Sequence, residues 1–247
     1  TAFQDGPVPD RWAAEASGLA SIADKVPSEE AVLDLEPDLV YAGWESNFSA
    51  DGAGERAELA ALGVASYVSP AACQSSGQPP TLTFDELFRE IEEAGAIFGV
   101  PDAAAALVAE QRAALDGLEP ASGGPTAFWW SSGTDTPYVG GDIGAPQLIM
   151  ETAGLVNIVT GVGATWTPLN WEAVVDADPD VIVLVDATWN SAEKKLAYLR
   201  DNPATARLTA VQHERFAVIP FPASEAGVRT AEAAISLAEQ VRELGLP

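Results

Sequence analysis

The residues best suited to chemistry in this sequence are aromatic. Phe3, Trp44, Trp129, Trp130, Trp166, Trp189 and Phe221 all fall in loops or at the ends of predicted strands. Rings at such positions give large flat contact area at little rotamer cost, which suits a ligand with a conjugated ring. Fully burying one such side chain contributes about 1.5–3 kcal/mol. Gln4, beside Phe3, is grouped with them as a polar contact. Some of these rings are expected in the core instead; Phe128 and Trp171, inside a strand and a helix, are read as packing residues.

Charged candidates are few. Lys25 and Arg229 lie near predicted loop and helix starts, and each either pairs with an anionic group on a ligand or makes a surface ion pair. Glu30 and Glu172 head two predicted helices, where an acid complements the helix dipole. His213 sits in a polar turn and is expected to be exposed. Cys73 is the single cysteine, so no internal disulfide framework exists.

Catalytic and metal motifs are missing. The sequence contains no Gly-x-Ser-x-Gly elbow, Cys-x-x-Cys, His-Glu-x-x-His or Gly-x-x-x-x-Gly-Lys. Gly140-Gly141-Asp142-Ile143-Gly144 reads as a turn. One histidine in 247 residues argues against a bare-metal site. No enzyme activity, metal or cofactor is therefore expected. The alternative is a two-domain α/β enzyme, such as a nucleotide-sugar transferase, closing over its substrate. Thirty-seven acids against twelve bases, a net charge of −25, disfavour a nucleic-acid partner. No run approaches the roughly 18 apolar residues of a membrane span.

The elements that position these residues come in two matching halves. Glu30-Ala31-Val32-Leu33-Asp34-Leu35-Glu36-Pro37-Asp38-Leu39-Val40 returns as Glu172-Ala173-Val174-Val175-Asp176-Ala177-Asp178-Pro179-Asp180-Val181-Ile182. Each copy reads as a short amphipathic helix, a Pro-Asp turn and an apolar strand. Apolar strands that follow helices imply parallel sheets covered on both faces. Between the copies, Phe84 to Leu118 reads as two consecutive helices broken at Gly99, the second about 16 residues and roughly 24 Å long. The expectation is an α/β protein of two lobes with parallel sheets joined by a long helix: residues 1–83, a helical linker at 84–120, and residues 121–247. The loops 43–48, 131–134 and 186–190 then lie at carboxyl ends of parallel strands, where ligands bind open α/β sheets. One long sheet with two similar units is the alternative.

The paired motif, together with Asn202-Pro203, Ala210-Val211, Arg215-Phe216 and Gly227-Val228-Arg229, resembles the substrate-binding proteins of ABC importers in the cobalamin, haem and iron-siderophore class. Within that class, Ala2-Phe3-Gln4-Asp5-Gly6-Pro7 and Gly43-Trp44-Glu45-Ser46-Asn47-Phe48 resemble actinobacterial proteins labelled as binders of a deazaflavin coenzyme precursor. The resemblance implies a class III, helical-backbone binding protein that holds a ring-containing ligand between its lobes: a deazaflavin precursor, a corrinoid or a ferric siderophore. It implies a monomer outside the cytoplasm, delivering its ligand to an ABC permease dimer, with Glu30 and Glu172 docking onto arginines of the two permease subunits. It also implies a strand and helix ahead of Phe3, absent from this chain, and a lipid anchor on a cysteine lying outside it. The chain starts at Thr1 without an initiator methionine, consistent with a missing leader.

Overall fold

A computed structural model describes residues 8–75 and 77–246. The chain divides into two compact units, 1–79 and 80–247. The helical segment expected as a linker is thus counted with the second unit.

In the first unit, a short helix α1 (Ala13–Ala16) precedes α2 (Glu29–Leu33), β1 (Leu39–Ala42), α3 (Arg56–Ala61) and β2 (Ala65–Val68). Strands β1 and β2 pair in parallel, Leu39 opposite Ala65 through Ala42 opposite Val68. Val32 of α2 and Leu59 of α3 are buried, and Tyr41 stacks on Tyr67 across the ladder at 4.8 Å. Ser28 starts α2 as an N-cap, its hydroxyl accepting the Ala31 N–H at 3.3 Å.

The second unit opens with α4 (Phe84–Ile97) and α5 (Pro101–Asp116). The first is started by a capping box, Thr83 accepting the Glu86 N–H while Glu86 accepts the Thr83 N–H at 2.9 Å. Phe88 and Ile91 of α4 bury themselves against Ala104 and Val108 of α5. There follow β3 (Thr126–Ser132), β4 (Tyr138–Gly140), α6 (Ala145–Thr152), β5 (Val156–Asn157), β6 (Trp166–Pro168), α7 (Trp171–Ala177), β7 (Val181–Asp186), α8 (Ala192–Asp201), α9 (Thr209–Gln212), β8 (Phe216–Pro220), α10 (Phe221–Ser224) and α11 (Thr230–Glu243). The strand order is β6-β4-β3-β7-β8, with β5 added beside the start of β3. β3, β5, β7 and β8 are parallel. β4 and β6 extend the sheet antiparallel, because the loop 133–137 turns the chain straight back along β3. Val181 to Val185 are all buried, as a strand covered on both faces requires.

The internal repeat is present in the backbone as well as in the letters. Asn170 caps α7 by accepting the Ala173 N–H at 2.7 Å, matching Ser28 on α2. Both helices leave through a left-handed residue, Glu36 at φ 47° and Asp178 at φ 40°, each directly before a proline that disfavours a further helical turn. In the second copy the two acids also hold neighbouring elements. Asp178 accepts the Thr209 N–H at 2.7 Å, and Asp180 accepts the Thr126 N–H and hydroxyl at 2.8 Å.

Gly141 shows where the sheet tolerates no side chain. A Cβ there would lie 1.9 Å from the Ala164 carbonyl oxygen. Gly141→Ala is expected to cost about 1–3 kcal/mol through forced displacement of the 162–165 backbone, read as a lowered urea midpoint of the second unit. An unchanged midpoint would show that this segment yields freely.

Candidate functional site

At its carboxyl edge the parallel core of the second unit runs out of strand partners, and β3, β7 and β8 pass into loops at Ser132, Asp186 and Pro220. Two pairs of aromatic side chains lie there and beside it. Trp189, half exposed, stands on the loop after β7 with its ring edge-on to Phe221 at 5.7 Å. Tyr138, opposite Ser132 at the start of β4, stacks on Trp166 at 6.2 Å with the rings 15° from parallel.

The loop carrying Trp189 is fastened from beneath. Asp186 accepts the Ala192 N–H at 2.8 Å, and Ser191 caps α8 through the Lys194 N–H. Lys195, almost completely buried, donates from Nζ to the carbonyl oxygens of Val185 and Asn190. Burial pushes the Lys195 ammonium down to about 8, and the neighbouring Asp186 charge opposes that fall. The loop ahead of Trp166 is fastened by Asp142, which accepts the N–H groups of Val162 at 3.0 Å and Gly163 at 2.8 Å. Burial raises the Asp142 carboxyl, but the backbone donors of Val162, Ala164 and Gly163 outweigh it and hold the group below its ordinary value. Buried Asn157 completes the support, donating to the Gly141 oxygen at 3.2 Å and accepting the Val159 N–H at 3.0 Å.

Glu225 follows α10 at the same edge. Burial alone pushes its carboxyl up to about 8. Tyr138 is raised too, first by burial and then by the negative charge of Glu225.

The sequence-predicted residues separate clearly in this structure. Trp166, Trp189 and Phe221 lie at or beside the carboxyl edge. Trp129 and Trp130 do not line any surface: both are fully buried. Strand β3 is an interior strand between β4 and β7, and residues 127–130, which alternate between its two faces, are all fully buried. Trp130 packs edge-on against Trp171 at 5.0 Å and donates to the Ser132 oxygen at 2.8 Å. Trp129 faces Gly140 and Pro146, and its Nε1 is the buried side-chain donor left unpaired among the described residues. Phe128 is core as expected, and Trp171 packs against both Phe128 and Trp130.

In the first unit Trp44 is half-buried just beyond β1, its N–H bonded to Asn47 Oδ1 at 3.2 Å. Its neighbour Glu45 ties the loop to the segment after β2 by accepting the Gln74 N–H at 2.7 Å. Lys25 and Glu30 are exposed. In the second unit Glu172 is exposed in the first turn of α7, and Arg229 is half-buried at the start of α11. Phe3 and Gln4 lie outside the described residues.

Sequence reasoning missed Tyr138, Lys195 and Glu225. Lys195 was legible in retrospect, since Ala192, Lys195 and Leu199 mark one helix face and all three are buried. Glu225 carried no signal in its Ala-Ser-Glu-Ala setting.

The comparisons decide the family. The periplasmic binding protein profile matches residues 23–223. The chain belongs to the periplasmic binding protein family. No curated protein matches it significantly. Its fold is shared with a periplasmic binding protein from Veillonella parvula DSM 2008, at 24% identity and a TM-score of 0.84 over 98% of this chain and 82% of that one. An ABC-type Fe3+-hydroxamate transport protein from Saccharomonospora viridis DSM 43017 aligns at 24% identity and a TM-score of 0.81, over 100% of this chain and 84% of that one. A periplasmic haem-binding protein from Pseudomonas aeruginosa gives 20% identity and a TM-score of 0.71, over 93% and 80%. Periplasmic binding proteins of this kind are transport proteins and not enzymes, which removes the transferase alternative.

Lys195 yields a test of how the edge is held. Replacing it with methionine leaves the carbonyl oxygens of Val185 and Asn190 without their donor, at about 1–3 kcal/mol. Between pH 8 and 10.5 the unfolded wild-type chain keeps a proton that the folded one has released, so wild-type stability rises with pH across that window. The gap between wild type and Lys195→Met is therefore expected to widen from pH 8 to 10.5 in urea titrations. A gap that narrows would show the ammonium form to be the stabilising one.

Proposed function

We propose that the protein is the substrate-binding component of an ABC importer, working outside the cytoplasmic membrane and carried there on a lipid anchor. It captures a ring-containing or chelate-type small molecule and hands it to a permease dimer. The observation that carries this reading is two aromatic pairs, Tyr138 with Trp166 and Trp189 with Phe221, at or beside strand ends of the second unit's sheet, on loops held by side-chain-to-backbone hydrogen bonds. Preorganised rings lose little entropy on binding, so their buried area converts efficiently into affinity. Ferric hydroxamates lead the candidate ligands, because a fold relative is described as part of such a transport system. A corrinoid and a deazaflavin precursor are the other two, and both absorb visible light in distinct ways. Trp44, Lys25, Phe3, Gln4 and Arg229 are further proposed ligand contacts.

Each ligand class can be titrated against tryptophan emission. The true ligand quenches it, and Trp44→Ala or Trp166→Ala is expected to weaken binding by about 1–3 kcal/mol. Wild-type affinity in both variants would remove these rings from the site.

Glu30 and Glu172 are proposed as the transporter-docking pair. They occupy equivalent positions in two helices with equivalent caps, and both are exposed. Rim charges act mainly on encounter and orientation. A Glu30→Lys, Glu172→Lys double variant is expected to bind ligand normally while failing to support uptake in cells. Normal uptake would reduce the pair to helix-terminal acids.

A further inference from the structure

The loop that joins β3 to β4 is exposed from Gly133 to Thr136, yet aromatic side chains hold its carbonyl oxygens from behind. Trp130 donates from Nε1 to the oxygens of Ser132 at 2.8 Å and Gly133 at 2.9 Å. Trp171, at the start of α7, donates to the Thr134 oxygen at 2.6 Å, and Tyr198 of α8 donates to the same oxygen at 2.9 Å. Two donors fill both lone pairs of that carbonyl. The rings form one cluster, with the centre of Trp171 lying 5.0 Å from that of Trp130 and 5.5 Å from that of Tyr198.

Stability is a poor reason for these bonds. Thr134 is exposed, so water would satisfy its carbonyl, and Trp171 and Tyr198 are only half-buried. A hydrogen bond exchanged for water adds little net free energy. It does fix geometry. Residues 166–171 are joined to 134–138 at three points: Trp166 stacks on Tyr138, the Leu169 N–H donates to the Pro137 oxygen at 2.9 Å, and Trp171 donates to Thr134. Tyr138 opens β4 directly after this loop, so a shift of the loop moves its ring against Trp166.

We propose that Trp171 and Tyr198 are positioning residues of the ligand site: by fixing the Thr134 carbonyl they hold Tyr138 in its stack with Trp166. The inference rests on the reading of that ring pair as a ligand contact and assigns what sets the pair's geometry. A pair already in place needs no ordering when the ligand arrives, and that saving appears as affinity.

The test uses Trp171→Phe and Tyr198→Phe, alone and combined, which keep an aromatic ring at each position and remove the donors to Thr134. In protein labelled with 5-fluorotryptophan, the Trp166 fluorine signal is assigned by its loss in Trp166→Phe. It is expected to shift or broaden in the variants, while the Trp189 signal, from the loop held by Lys195, stays in place. The probes are a ferric linear trihydroxamate, cyanocobalamin and 5-deazariboflavin. Whichever binds the wild type is expected to bind the combined variant about three- to tenfold more weakly, the range of one ordinary hydrogen bond. In a Tyr138→Ala background the same changes are expected to cost no further affinity. An unmoved Trp166 signal overturns the inference. So does joint movement of Trp166 and Trp189, which marks general loosening, or wild-type affinity in the combined variant, or a full further loss in the Tyr138→Ala background. Each of these leaves the functional reading standing, because the wild type still binds a probe. Failure of the wild type to bind any of the three overturns the functional reading and the positioning role together. Either single variant carries the test if the combined one does not fold.

Discussion

The second unit depends on one constraint: its central strands β3 and β7 are dry on both faces. Trp129, Trp130 and the run Val181 to Val185 exclude water completely, so no polar group of the site can sit along these strands. Chemistry is displaced to where the strands stop. There the last carbonyl oxygens no longer have ladder partners, and side chains must satisfy them. Lys195 does so for Val185 and Asn190, and in doing so it holds the loop that presents Trp189.

The same constraint governs how the edge is held. A ring on a loose loop would lose entropy on capture; a ring on a fastened one loses little. Polar supports lie near the aromatic positions, buried Lys195 and exposed Asp186 for Trp189, partly exposed Asp142 and buried Asn157 for Trp166. These supports contribute no contact area of their own. They fix the shape of an otherwise apolar edge.

The repeat has its own physical logic. A helix ending at a proline must leave the right-handed region before it, and both copies do so through an acidic residue at positive φ. The acid two places later then lies at the start of the strand. In the second copy Asp178 and Asp180 bond the neighbouring Thr209 and Thr126, so the turn that ends α7 also locks β3 and α9 in place. The first copy has the same backbone turn, and Asp38 enters its ladder through the backbone, its carbonyl accepting the Ala65 N–H at 2.9 Å.

The sequence by itself determined the helix-turn-strand repeat, the parallel strands at 39–42 and 181–186, the paired helices at 84–97 and 101–116, and the family. These are local or repeated signals: caps, prolines, apolar runs and an eleven-residue motif written twice. It also placed Trp166, Trp189 and Phe221 near strand ends, because turns and glycines bracket them. Only the tertiary structure decided that Trp129 and Trp130 are core, since a residue near a strand end looks the same in sequence whether the strand is central or at an edge. Only it brought Tyr138 to Trp166, which is 28 residues away from it in the chain and meets it through the pairing of β4 with β6. Burial of a charge depends on what every other element covers, and no short stretch of sequence carries that information.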